Sequence, residues 1–275
     1  MRILPAFQPY ARWPEKVWYV AQRVLCYGVL VYLVLPIAAL VPLSFSADSF
    51  LVYPIHRWSL HWYETLFASD AWWRAIRNSF IVAPGATVLA TVLGTLCALG
   101  LDRASFPGKR VLTAIILSPL VAPLVVVAVG MYLFYMKLHL AGTFTGLVVA
   151  HALLGAPFVV TTVGAVLKGF NGTLVNASLS LGAGRFETFW RITLPLILPG
   201  VLSGALFAFA TSFDEVVVTL FLAGPDQATI PRQMLSGIRD SITPTIVALA
   251  TILVLFSMSL LFVVERLRMR GAPGG

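Results

Sequence analysis

Polar and apolar positions along this chain segregate on the scale of whole helices. Apolar runs of roughly the ~20 residues needed to cross a hydrocarbon core occupy Val24–Phe45, Ser79–Leu101, Val111–Met136, Phe144–Leu167, Leu196–Leu222 and Thr245–Val264. Polar segments separate them. A spanning helix satisfies its own backbone hydrogen bonds inside lipid, so the pattern predicts an all-α membrane protein with six spans. The first run follows a head carrying Arg2, Arg12, Lys16 and Arg23. It is too long for a signal-peptide core and reads as an uncleaved anchor. Pro36, Pro84, Pro119, Pro123, Pro157 and Pro199 fall inside the runs, and kinks are expected at Pro119 and Pro123.

Composition supports this class. Of the 275 residues, 59% are hydrophobic and 11% charged, against about 45–50% and about 25% in soluble domains. A soluble enzyme and a disordered chain are both excluded. The net charge of +8 does not imply nucleic-acid binding, because membrane proteins gather Lys and Arg in their cytoplasmic loops. With the N-terminus inside, the inner segments hold 13 of the 19 Lys and Arg and the outer segments hold 6. This excess places both termini in the cytoplasm. The cluster Arg103, Lys109, Arg110, Arg266, Arg268 and Arg270 fits topology and contact with anionic membrane lipid.

Little conventional chemistry is visible. Cys26 and Cys97 lie in apolar runs and read as packing residues. His56, His61, His139 and His151 show no metal spacing. His151, inside the fourth run, reads as a hydrogen-bonded packing group rather than a proton relay. The outer segment 46–78 carries Trp58, Trp62, Tyr63, Trp72 and Trp73, side chains suited to the membrane–water interface. A short interfacial helix is expected at Leu60–Phe67, with Ser59 as its N-cap. The outer segment Ala223–Pro244 reads as a connector, with contact to an external partner as the alternative. The tail 271–275 is expected to fray.

The inner segment Lys168–Pro195 is far longer than the ~2–8 residues that usually join helices in a bundle. Asn171 or Thr173 can cap a helix running through Leu174, Ala177, Ser178 and Leu181. Gly182-Ala183-Gly184 breaks it. A second short helix from Arg185 places Phe186, Phe189 and Trp190 on one side. The result is a bracket with an apolar face, either packed on its own bundle or docking a cytoplasmic partner.

These residues carry a resemblance. Asn176-Ala177-Ser178, three residues, Gly182, nine residues, then Ile192-Thr193-Leu194-Pro195 resembles the EAA loop of ABC-transporter permeases, the inner-membrane components of binding-protein-dependent importers. The spacing matches throughout, and the loop precedes the second-last span. Asn176 stands where the family has Glu, and Ser178 where it has Ala. The resemblance covers roughly residues 75–265. It implies a MetI-like importer core at 76–265 with a coupling loop at 168–195. Before the core come a head at 1–23 and a first helix with its outer segment at 24–75, and a tail at 266–275 follows it. Asn176, Ala177, Ser178, Gly182, Ala183, Ile192, Leu194 and Pro195 would seat on a separate ATPase. The implied partners are a second permease, two ATPase subunits and an external solute-binding protein, in a bacterial inner membrane. The chain itself would need no cofactor and catalyse no reaction. It lacks a G-x-x-x-x-G-K-[ST] loop, and Gly108-Lys109-Arg110 is its nearest fragment.

Asp214 and Glu215 fall within the fifth run. Ionisable groups inside a membrane cost about 2.5–3.5 kcal/mol on insertion scales and face a wet cavity or another protein group. On a continuous helix Glu215 shares a stripe with Gly204, Ala208, Thr211, Ser212 and Thr219. Glu215 is therefore expected toward the solute path, with Thr211 and Ser212. Asp214 is expected near it or paired with a neighbouring chain. Ser212–Pro225 and Leu60-His61-Trp62-Tyr63 also resemble the corresponding stretches of spermidine/putrescine-type permeases. That resemblance implies import of a polyamine-like cation, with an opine or amino-acid derivative as the alternative. A proton-coupled secondary transporter predicts an internal repeat, and none is present. A membrane enzyme needs reactive residues gathered at one interface, and none are evident.

Overall fold

The computed structural model describes residues 13–169, 171–240 and 243–271. Arg2 and Arg12 of the head, and residues 272–275 of the tail, lie outside the described residues. The chain forms two compact units. One contains the residues up to Ala68 and from Asp240 onward, and the other is Ser69–Arg239.

In the first unit, α1 (Trp13–Leu43) and α2 (His61–Ala68) each pack against α12 (Pro244–Gly271). The chain between α1 and α2 is pinned near both ends. Ser44 Oγ and Tyr63 Oη share a hydrogen at 2.7 Å, and Ser59 N–H donates to the Phe45 carbonyl at 2.7 Å. Ser59 Oγ accepts from His61 N–H at 3.1 Å, so the expected cap is present and α2 begins just after it.

The second unit is built on α3 (Asp70–Arg103), α6 (Phe144–Lys168) and α9 (Leu194–Phe213), which pack against one another. Small residues let these backbones approach closely, as is usual where lipid supplies no hydrophobic drive between helices. A Cβ on Gly94 would lie 2.6 Å from Val159 Cβ, and one on Gly204 would lie 2.5 Å from Thr162 Oγ1. Ala86, Ala90, Val159, Val163, Ile197 and Ala208 fill the seam. A second cluster joins Val82, Ala128, Tyr135, Leu147, Val218 and Leu222.

Two expected spans are not continuous. The third run is α4 (Lys109–Leu117), a 3-10 turn at Ser118–Leu120 and α5 (Leu124–Lys137), with the two arms bent by 102°. Pro119 enters the turn and Pro123 is the residue before α5. Neither can donate a helical hydrogen bond, so the expected kinks become one sharp corner. The fifth run breaks too. α9 stops at Phe213 and α10 is Val217–Leu222, with Asp214–Val216 unwound between them. At its N-terminal end a π-helical turn, Phe189–Thr193, carries α8 (Arg185–Thr188) into α9. The helical run is therefore Arg185–Phe213, 29 residues.

Among the described residues, four helices are long and apolar enough to cross a membrane, and five if the bent pair counts as one span. In α12 the apolar stretch is the shorter Pro244–Ser259. The segment after α10 has helical structure of its own. It holds a 3-10 turn at Pro225–Gln227 and α11 at Ile230–Asp240.

Candidate functional site

The bracket between α6 and α9 consists of α7 (Thr173–Ser180), an elbow at Leu181–Gly184, α8 and the π turn. Asn171 Oδ1 accepts from Thr173 N–H at 3.0 Å, at the start of α7. Gly182 holds φ at +88°, a left-handed conformation that ends helices and favours glycine. Gly182 N–H donates to the Leu179 carbonyl and Ala183 N–H to the Ser178 carbonyl, at 3.1 and 3.2 Å. Ser178 Oγ lies 3.0 Å from Thr188 Oγ1, with both residues buried. This contact latches α7 to α8. Glu187 and Arg191 pair at 3.1 Å.

The bracket leaves large apolar side chains uncovered. Leu181 is 88% exposed and Phe186 77%, and Leu174, Leu179 and Trp190 are also exposed. The Trp190 ring stands 6.1 Å from Phe186 and 5.7 Å from Phe189, edge-on in both cases. Asn176 and Ala177 are exposed, Ala183, Ile192 and Leu194 are half-buried, and Pro195 is exposed at the start of α9. The chain thus presents an apolar surface that its own helices do not use.

The other candidate residues meet at the break between α9 and α10. Here the continuous-stripe expectation is corrected. Glu215 is buried, and its Oε1 accepts from Val218 N–H at 2.8 Å, capping the first turn of α10. Ser212 is buried as well. Thr211 is half-buried, and Asp214 is exposed. Once the helix unwinds, the 100° spacing between neighbours no longer applies. Glu215 turns inward and Asp214 outward.

A residue outside the expected site organises this break. His151, from the middle of α6, is 1% exposed. Its Nδ1 lies 2.9 Å from Ser212 Oγ and 3.2 Å from the Ser212 carbonyl oxygen. Its Nε2 lies 3.0 Å from Thr219 Oγ1, and Thr219 Oγ1 donates to the Glu215 carbonyl at 3.2 Å. With the proton on Nε2, Ser212 Oγ donates to Nδ1, Nε2 donates to Thr219 Oγ1 and Thr219 donates to the Glu215 carbonyl; with the proton on Nδ1, that nitrogen donates to Ser212 instead. Ser212 and Thr219 are seven residues apart in sequence. That spacing puts both on one stripe in the sequence, but nothing there points to His151 of α6 as the group between them.

The C-terminal end of α10 is held by other residues. Gly142 N–H donates to the Leu222 carbonyl at 2.8 Å. Arg232 Nη1 donates to the Ala223 and Gly224 carbonyls at 3.0 and 2.7 Å. Asn78 of α3 donates to the Asp226 and Ala228 carbonyls, and Ser79 Oγ accepts from Ile230 N–H. Among the described residues no His, Cys, Asp and Glu side chains group as metal ligands.

Residues 90–270 match the family model described as the binding-protein-dependent transport system inner membrane component. The chain belongs to this family. It is 35% identical over 233 residues to the spermidine/putrescine transport system permease protein PotC of Haemophilus influenzae, covering 84% of this chain and 90% of that protein. It is 33% identical over 229 residues to the putrescine transport system permease protein PotI of Escherichia coli K12, covering 81% of each. The fold is also that of a solved bacterial alginate ABC transporter, in complex with an alginate pentasaccharide-bound periplasmic protein. That chain superposes with a TM-score of 0.71 at 18% identity, covering 95% of this permease and 98% of its counterpart. The family is one of transport components rather than enzymes, and it gives the apolar helices an inner membrane to cross.

Proposed function

We propose that this chain is one permease of an ATP-driven importer for a polyamine-like cation. The observation that carries the reading is the similarity, over most of both chains, to PotC and PotI, whose names specify spermidine and putrescine. The exposed Asp214 in the α9–α10 break supports it, since a carboxylate within an apolar run can attract a cationic solute. In this reading a second permease faces Asp214 and the solute passes between the two. The α7–α8 bracket seats in a groove of a cytoplasmic ATPase, with Leu181, Phe186 and Trp190 as apolar anchors. Two ATPase subunits supply ATP hydrolysis and an external solute-binding protein delivers the cation. The chain crosses the membrane six times, with α12 as the last crossing and both termini in the cytoplasm.

The test is uptake of radiolabelled putrescine and spermidine by cells that lack their own polyamine importers and express the complete system. Saturable uptake that depends on the ATPase supports the reading. Uptake by this chain without an ATPase would replace it with a secondary transporter. ATPase-dependent uptake of an opine or amino-acid derivative, with none of polyamines, would keep the importer and discard the cation.

A further inference from the structure

The α9–α10 break has no proline or glycine to cause it, since residues 212–218 read Ser-Phe-Asp-Glu-Val-Val-Val. Unwinding a helix inside a protein frees backbone groups that must find new partners. Here side chains supply them. Glu215 takes the Val218 N–H, and Thr219 bonds back to the Glu215 carbonyl. Both belong to the broken segment, so neither fixes it relative to the rest of the bundle. His151 does, because it stands on a different helix and bonds the last turn of α9 through Ser212 and the first turn of α10 through Thr219. Its neighbour Gly155, one turn along α6, lets Ala208 of α9 approach to 3.0 Å from a would-be Cβ. The imidazole therefore sits one turn from a close approach of these two helices.

We infer that His151 is a positioning residue for transport: by bridging Ser212 and Thr219 across the break, it fixes the direction in which Asp214 leaves the bundle. This rests on the reading of Asp214 as the carboxylate that meets the cation. His151 itself is buried and touches no solute. Its effect passes entirely through the geometry of residues 213–216, which separates it from an ordinary packing histidine.

The test uses the complete importer, with both permeases, the ATPase and the binding protein, reconstituted in proteoliposomes. Maximal uptake of putrescine and of spermidine is measured with the loaded binding protein in excess. The variants are Asp214→Asn, His151→Leu and the pair combined. Asp214→Asn is expected to lower uptake by about tenfold and to change the spermidine-to-putrescine ratio. His151→Leu is expected to change that ratio in the same sense, with the permease still in the membrane and bound to its ATPase. Residues that act as one unit are non-additive, so the double variant should fall within about twofold of Asp214→Asn. Thr219→Val and Ser212→Ala each remove one bond of the bridge with little change of shape. They should reproduce part of the ratio change, and they carry the test if His151→Leu fails to assemble. An unchanged ratio in the assembled variants, or effects that multiply in the double variant, overturns the inference and leaves the acidic path standing. Normal uptake by Asp214→Asn alone removes the acidic path itself, and the inference with it.

Discussion

Two adjacent carboxylates in this chain have opposite fates. Asp214 is exposed, whereas Glu215 is buried and spends an oxygen on Val218 N–H. Substitution should separate them. Glu215→Gln keeps an amide oxygen for the same N–H, so uptake is expected to stay within about twofold of the parent in a transport assay. Glu215→Ala removes the cap. It should cost about 1 kcal/mol, read as a lower midpoint in detergent thermal unfolding. Asp214→Asn should lower uptake without lowering that midpoint. The pair of acids was legible in the sequence, because charges stand out in an apolar run. Which of them faces outward was not, because that depends on unwinding at 214–216. Ser212 was legible as a small polar residue of the stripe, yet the structure gives it to His151.

At the scale of elements, sequence and structure agree best where residues force backbone geometry. The bracket was readable because Gly182 must end α7, and the structure gives it φ +88°. The corner between α4 and α5 was half-readable. Pro119 and Pro123 announce kinks, but the size of a bend depends on how both arms pack. The latch between Ser178 and Thr188 was invisible, since it needs the elbow to bring α7 onto α8. Gly182→Glu should leave the protein in the membrane but abolish ATPase co-purification and uptake. Ser178→Ala leaves Thr188 Oγ1 without its partner, at about 1–3 kcal/mol. It should loosen the bracket, seen as faster amide hydrogen exchange across residues 178–188. Between helices, Gly204→Val pushes side-chain atoms into Thr162 and Val159, so a sharp loss of folded protein in the membrane fraction is expected.

At the scale of the molecule, the apolar runs made the class readable. The helices themselves are less uniform than the runs. Length and apolarity qualify four outright and a fifth as a bent pair, with a shorter apolar stretch in α12. A run of hydrophobic residues specifies burial in lipid or protein, whereas continuity depends on local backbone partners. The orientation is testable on the whole chain, because a C-terminal reporter active only in the cytoplasm should give full signal. The stretch from Arg185 to Phe213 has a mechanical consequence. Its 29 residues pass through the π turn without a break, a length of about 40 Å at ~1.5 Å per residue. Its N-terminal end belongs to the bracket and its C-terminal end stops next to Asp214. In the proposed importer a single helical run therefore joins the docking bracket to the residue beside the exposed Asp214, and a shift at one end reaches the other along one element.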